Sequence, residues 1–166
     1  MKAGLIFLIY SLCLNVYAKD NFSIYLVRHA EKQIQGDNPN LTPCGRFRAK
    51  QLVTLLEQTN IQNIYSTSYQ RTMQTARPLA NKNNLSIKHY NPKHLAEFAL
   101  RIKQQKHNSL IVGHSNTTPI LVELLTGKKV SKIAENNYQM LYQIQFSKKE
   151  IFLTVLKQPL TCNISS

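Results

Sequence analysis

Phe22-Ser23-Ile24-Tyr25-Leu26-Val27-Arg28-His29-Ala30-Glu31-Lys32 decides the reading of this chain. It begins as a short apolar run with β-branched residues, the signature of a buried strand. The run stops abruptly at an arginine, a histidine and a glutamate. Ligands of open α/β sheets gather at the carboxyl ends of strands. The junction therefore offers a fixed cation beside an imidazole able to serve as nucleophile, base or ligand. Ser109-Leu110-Ile111-Val112-Gly113-His114-Ser115-Asn116 repeats the arrangement: an apolar strand, then a histidine. Two strands delivering histidines to one edge, with arginines nearby, predict a phosphate site.

Outward from that strand, strand and helix patterns alternate without internal repeats, as in an α/β domain. The first strand covers about Phe22 to Val27. After the polar loop Gly36-Asp37-Asn38-Pro39, Thr42-Pro43 reads as an N-cap with proline at the first helical position. Leu52, Leu55 and Leu56 fall on one face of that helix, which ends near Gln58. A second strand spans Asn63 to Ser66, a second helix Tyr69 to Asn81, and a third strand lies near Ser86 to Tyr90. Asn91-Pro92 is a helix-start signal ahead of Leu95, Phe98, Ala99 and Ile102 at 3-and-4 spacing. A fourth strand covers Ser109 to Val112, and Thr118-Pro119 opens a helix that Gly127 stops. Met140 to Phe146 and Ile151 to Leu156, around the turn Ser147-Lys148-Lys149-Glu150, read as an antiparallel hairpin completing the sheet.

The 166 residues suit one domain with a genuine core. Residues 1–18 read as a signal peptide. Lys2 supplies a positive start, Leu5 to Leu14 are mostly apolar, and Val16-Tyr17-Ala18 has the small-x-small character of a cleavage site. That run is short for a membrane span. Periplasmic or secreted export of residues 19–166 is the expectation, with an uncleaved anchor as the alternative. The formal charge of +13 favours anionic partners, although lysines on solvated helix faces serve solubility equally. No aromatic RNA-binding signature accompanies the charge, so nucleic acid is not the expected partner. Export would permit a bridge between Cys44 and Cys162, but two cysteines alone do not establish one.

Four clusters could carry chemistry: Arg28-His29; Leu41-Thr42-Pro43-Cys44-Gly45-Arg46-Phe47-Arg48-Ala49; Tyr65 to Ala76 with Arg71; and Gly113-His114-Ser115-Asn116-Thr117-Thr118-Pro119. Taken singly, each has an ordinary explanation: an incidental loop pair, a solvated helix start, a surface helix arginine, a capping histidine and serine. Taken together, they are four motifs in order, each at a strand–helix junction. Phosphoryl transfer needs such groups, because its catalysis is mostly positioning and charge neutralisation. Guanidinium forks bind the equatorial oxygens, helix N-termini add oriented N–H donors, and a neutral imidazole can attack phosphorus. Surrounding arginines lower that imidazole's pKa and keep its lone pair available.

The ordered set Arg28-His29-Ala30-Glu31, Leu41-Thr42-Pro43-x-Gly45-x-x-Arg48-Ala49, Ser66-x-x-x-x-Arg71-Thr72-x-x-Thr75-Ala76 and Gly113-His114-Ser115 resembles the histidine phosphatase superfamily. The likeness is to the phosphoglycerate mutase-like group in its smaller form. It implies a three-layer α/β/α sandwich, a mostly parallel sheet with a C-terminal hairpin, and a phosphohistidine intermediate without metal or cofactor. By motif, His29 would be the nucleophile, Arg28 and Arg71 the phosphoryl clamp, and His114 the opposing phosphate ligand. Ser115 and Asn116 are further substrate-binding candidates, and Thr42 is expected to fix its helix entrance. Ala30 stands where better-known relatives have glycine. Asn91 falls near the position where many relatives carry a carboxylate acid, leaving Glu31 and Glu97 as candidate proton donors. Glu31 could instead pair with Arg28 or Lys32. The implied partner is a phosphorylated small molecule or phosphoprotein. A non-catalytic anion-binding module and a metal site built on His29 and His114 are the alternatives.

Overall fold

A computed structural model describes residues 21–159. The expected signal peptide and Cys162 lie outside the described residues. Cys44 takes part in a disulfide.

The elements are β1 (Phe22–Arg28), α1 (Pro43–Leu56), β2 (Asn63–Ser66), α2 (Gln70–Lys82), β3 (Ile87–His89), α3 (Leu95–Gln105), β4 (Ser109–Gly113), α4 (Thr117–Thr126), β5 (Met140–Phe146) and β6 (Ile151–Lys157). They form one six-stranded sheet in the order β3-β2-β4-β1-β5-β6. The first four strands of that order are mutually parallel, whereas β5 runs antiparallel to β1 and β6 antiparallel to β5.

Strand alternation explains the layers, since successive side chains point to opposite faces. Ile24 and Leu26 of β1 join α3 and α4 through Phe98, Ile102, Leu121 and Leu125. Tyr25 and Val27 join α1 and α2 through Leu52, Leu56, Ala76 and Leu79 on the other face. This is the α/β/α sandwich, with helices covering both faces of the central strands β1, β2 and β4, which are buried along nearly their whole length.

Local signals mostly act as expected. Thr42 caps α1, its hydroxyl accepting from the Gly45 N–H at 3.0 Å. Ser147 closes the hairpin by donating its N–H to the Glu150 carbonyl at 3.0 Å. Asn91-Pro92 behaves differently. The Asn91 side chain caps a turn by accepting from the Lys93 N–H at 2.9 Å, and α3 begins only at Leu95. An asparagine that bonds the backbone two residues on makes a turn without needing a helix behind it. Likewise, α4 starts one residue before Thr118, because the Thr117 hydroxyl accepts from the His114 N–H at 3.0 Å.

Candidate active site

Register brings the two histidines together. In the parallel β1–β4 pair, Arg28 lies opposite Gly113, so the next residues, His29 and His114, leave the sheet side by side. The His29 N–H donates to the Gly113 carbonyl at 2.9 Å. The two rings sit edge to face with centroids 5.6 Å apart. Both line one open cavity of about 490 Å³.

The hydrogen bonds fix the tautomers. His29 Nδ1 lies 2.8 Å from the Ala30 carbonyl oxygen. A carbonyl only accepts, so Nδ1 carries the proton and Nε2 keeps its lone pair. For His114, the proton can be traced along a chain of hydroxyls. Thr72 Oγ1 reaches the Thr67 and Tyr69 carbonyls at 3.0 and 2.8 Å, which takes up its proton. Thr67 Oγ1 then donates to Thr72 Oγ1 at 2.9 Å and accepts from His114 Nε2 at 3.0 Å. His114 Nδ1 is therefore a lone pair, and it donates to an anion only after taking up a proton.

Burial, aided by the nearby cations and the facing His114, pulls the pKa of His29 down to about 3, against the opposing effect of its bond to Ala30. His114 falls to about 4, mainly through burial and then through Arg71 and Arg28, with Glu135 opposing. Both groups are neutral in the folded state through the mildly acidic range, whereas an unfolded chain protonates them below about 6.5. The unfolded state thus binds more protons there, and stability falls as pH drops from about 6.5 towards 3 to 4. Long-range ¹H–¹⁵N spectra at roughly pH 5.5 are expected to show both rings neutral. His29 should appear as the Nδ1–H form and His114 as the Nε2–H form. Rings protonated on both nitrogens at that pH would contradict this electrostatic picture.

Arg28 and Arg71 supply the positive charge. Arg28 is 2% exposed and lies over the Tyr138 ring at 4.3 Å. Arg71, on the first turn of α2, lies over the Tyr69 ring, also at 4.3 Å. Burial lowers the Arg71 pKa from its usual range. Both guanidinium groups have a buried Nε atom without a hydrogen-bond partner. Buried donors are normally satisfied, and two orphaned N–H groups on residues that line one cavity point to an anion as their missing partner.

The remaining motif residues hold this constellation in place. Glu31 does not pair with Arg28 or Lys32; its carboxylate takes Arg48 Nε at 3.0 and 2.9 Å and Arg48 Nη2 at 2.5 Å. Gly45 passes so close to the Glu31 carbonyl that an added Cβ would collide with it. Thr75 accepts from the Ala30 N–H at 2.9 Å and donates to the Arg71 carbonyl at 2.7 Å, tying β1's end to α2. The second and third motifs are thus largely a clamp on the segment carrying His29.

Glu31 is buried in that clamp and does not line the cavity. Glu97 is also outside it, 80% exposed and 3.8 Å from His94. Ser115 and Asn116 do line the cavity, but the Ser115 hydroxyl donates to Glu135 at 2.6 Å. Glu135 and Tyr138 were outside every sequence cluster, whereas Thr67 and Tyr69 fell inside the third without being given a role. Among the described residues, no group of three His, Cys, Asp or Glu residues could hold a metal ion.

Residues 24–100 match the family model of the histidine phosphatase superfamily, branch 1. Over that stretch the chain carries the histidine phosphatase superfamily's pattern. The match spans the first three motifs, and the fold supplies the fourth by setting His114 beside His29. No curated protein matches the chain in sequence. Among solved structures, it is similar to the protein histidine phosphatase SixA complexed with tungstate. Identity is 12%, coverage 82% of this chain and 97% of that one, and the TM-score 0.67. It is also similar to the alpha-ribazole phosphatase of Shigella flexneri, at 17% identity, 82% and 96% coverage and a TM-score of 0.67. A third is a phosphoserine phosphatase from Entamoeba histolytica, at 16% identity, 82% and 97% coverage and a TM-score of 0.63. At these identities the likeness is one of fold.

Proposed function

We propose that this histidine phosphatase is exported and hydrolyses a phosphomonoester or phosphoramidate through a phosphohistidine on His29. One observation carries the reading. His29 holds its proton on Nδ1 against Ala30, leaving Nε2 nucleophilic beside two arginines whose Nε–H groups lack partners. In the first half-reaction, the Nε2 lone pair forms a bond to phosphorus as the bond to the leaving group breaks. The leaving group departs with the bonding pair and takes a proton from solvent. In the second, water adds to phosphorus, the P–N bond breaks, and its electron pair returns to Nε2. The attacking water gives up its proton, and inorganic phosphate leaves. Arg28 and Arg71 neutralise the equatorial oxygens throughout, which is where phosphoryl-transfer catalysis mainly lies. The Nδ1–H bond to Ala30 steadies the ring as it gains positive charge.

The open cavity of about 490 Å³ suits a phosphorylated small molecule or a phosphoprotein side chain. Fold similarity to phosphatases acting on both kinds of substrate supports that range. The leader-like residues 1–18 and the disulfide of Cys44 support an oxidising destination. The full-length chain should be recovered outside the cytoplasm beginning at Lys19. Mixed with a ³²P-labelled aryl phosphate and quenched rapidly, it should carry label that acid removes and base does not. Tight vanadate binding with no trapped label would assign the pocket to anion capture without turnover.

A further inference from the structure

The loop ahead of β5 is fastened to Arg28 more heavily than a surface connection requires. Nη1 of Arg28 donates to the carbonyls of Ala134, Glu135 and Asn137 at 2.9, 2.7 and 3.3 Å. Nη2 donates to Glu135 Oε2 at 2.7 Å, and the other oxygen of the same carboxylate accepts from Ser115 at 2.6 Å. Glu135 is 80% exposed, yet both its oxygens are engaged, and it is the sole carboxylate among the described cavity-lining residues.

A guanidinium has five N–H donors in a fixed plane. The loop carbonyls take up those of Nη1, and Glu135 takes one from Nη2. That leaves the orphaned Nε–H and one Nη2–H, the pair on the group's side, which matches two oxygens of a phosphoryl group. Without the Glu135 carboxylate, Arg28 would be held through Nη1 alone and could pivot about that point to present a different pair. We propose that Glu135 is a positioning residue of the phosphoryl site. Its carboxylate locks Arg28 and Ser115 so that the side-on N–H pair of Arg28 faces the substrate phosphoryl oxygens.

A proton donor makes different demands. The Ser115 hydroxyl and the Arg28 guanidinium both bind the ionised form and hold Glu135 below the ordinary carboxylate range, against the opposing effect of burial. An acid so held gives up no proton to a leaving group, whereas a positioning carboxylate benefits from the same contacts.

The inference rests on the phosphatase reading, and the test separates the two. Wild type, Glu135→Ala and Glu135→Gln are assayed on 4-nitrophenyl phosphate and phenyl phosphate, beside vanadate binding and His29→Ala. A glutamine can accept from Arg28 and donate to the Ser115 oxygen, so it keeps the geometry without the charge. Glu135→Ala is expected to lower kcat/KM on the order of 10- to 100-fold, equally on both esters. Glu135→Gln is expected to return it to within about threefold of wild type, and vanadate affinity to follow the same order. A loss much larger on phenyl phosphate, with glutamine as poor as alanine, would identify an acid and overturn the proposal. So would an alanine variant equal to wild type. If wild type shows no turnover dependent on His29, the phosphatase reading fails, and the three vanadate affinities still decide the role of Glu135.

Discussion

Replacing His29 by alanine is expected to lower kcat/KM for an aryl phosphate on the order of 10⁴-fold or more, the scale at which loss of a covalent nucleophile registers. The same variant should lose all trapped phosphohistidine. It should still bind vanadate, because Arg28 and Arg71 keep their places: Arg28 is held by the 134–137 loop and Arg71 by the first turn of α2. Large loss of rate with retained anion affinity separates a nucleophile from a phosphate ligand. Steady-state kinetics, rapid quench and vanadate titration on one preparation settle the matter. Turnover equal to wild type would remove His29 from the reaction.

The second large effect concerns stability and falls on Arg48. The residue is 2% exposed, and its guanidinium lies fork to fork against the Glu31 carboxylate, which is itself buried. Arg48→Ala would leave that carboxylate uncompensated beside α1. Breaking a buried pair from one side costs about 3–5 kcal/mol, more than the pair contributes relative to an apolar replacement. With a urea m-value of about 2 kcal/mol/M, the midpoint should fall by roughly 2 M. The double variant Glu31→Leu, Arg48→Met removes both charges and should recover much of the loss. A single variant within about 0.5 kcal/mol of wild type would mean that water reaches Glu31 and hydrates it. Because Glu31 follows His29 by two residues, residual activity in Arg48→Ala also reports how far the clamp steadies the nucleophile.

Much of this architecture is legible in the chain because its signals are local. Mostly apolar runs of seven and five residues ending in Arg28 and Gly113 give the two central strands, and Thr42-Pro43 gives the entrance of α1. The meeting of His29 and His114 needs only that β1 and β4 be parallel neighbours in matching register. What escapes the sequence is long-range polar pairing. Arg28 and Glu135 are 107 positions apart, in a loop without periodicity, and no spacing rule links them. Glu31 and Arg48 each sit in a recognisable motif, but nothing in either motif says that they pair. Asn91-Pro92 misleads because a side chain that caps a turn looks the same on paper as one that starts a helix.

The reversed direction of β5 has a consequence for how such a site could diversify. A strand parallel to β1 would begin at the far edge of the sheet, and the residues before it would never see substrate. Since Leu141 pairs with Val27 and Phe146 with Phe22, the chain instead enters β5 at the edge where β1 leaves. The thirteen-residue return from Gly127 to Gln139 can therefore lengthen ahead of Ile133 while every strand pairing stays intact and residues 134–137 keep their hold on Arg28.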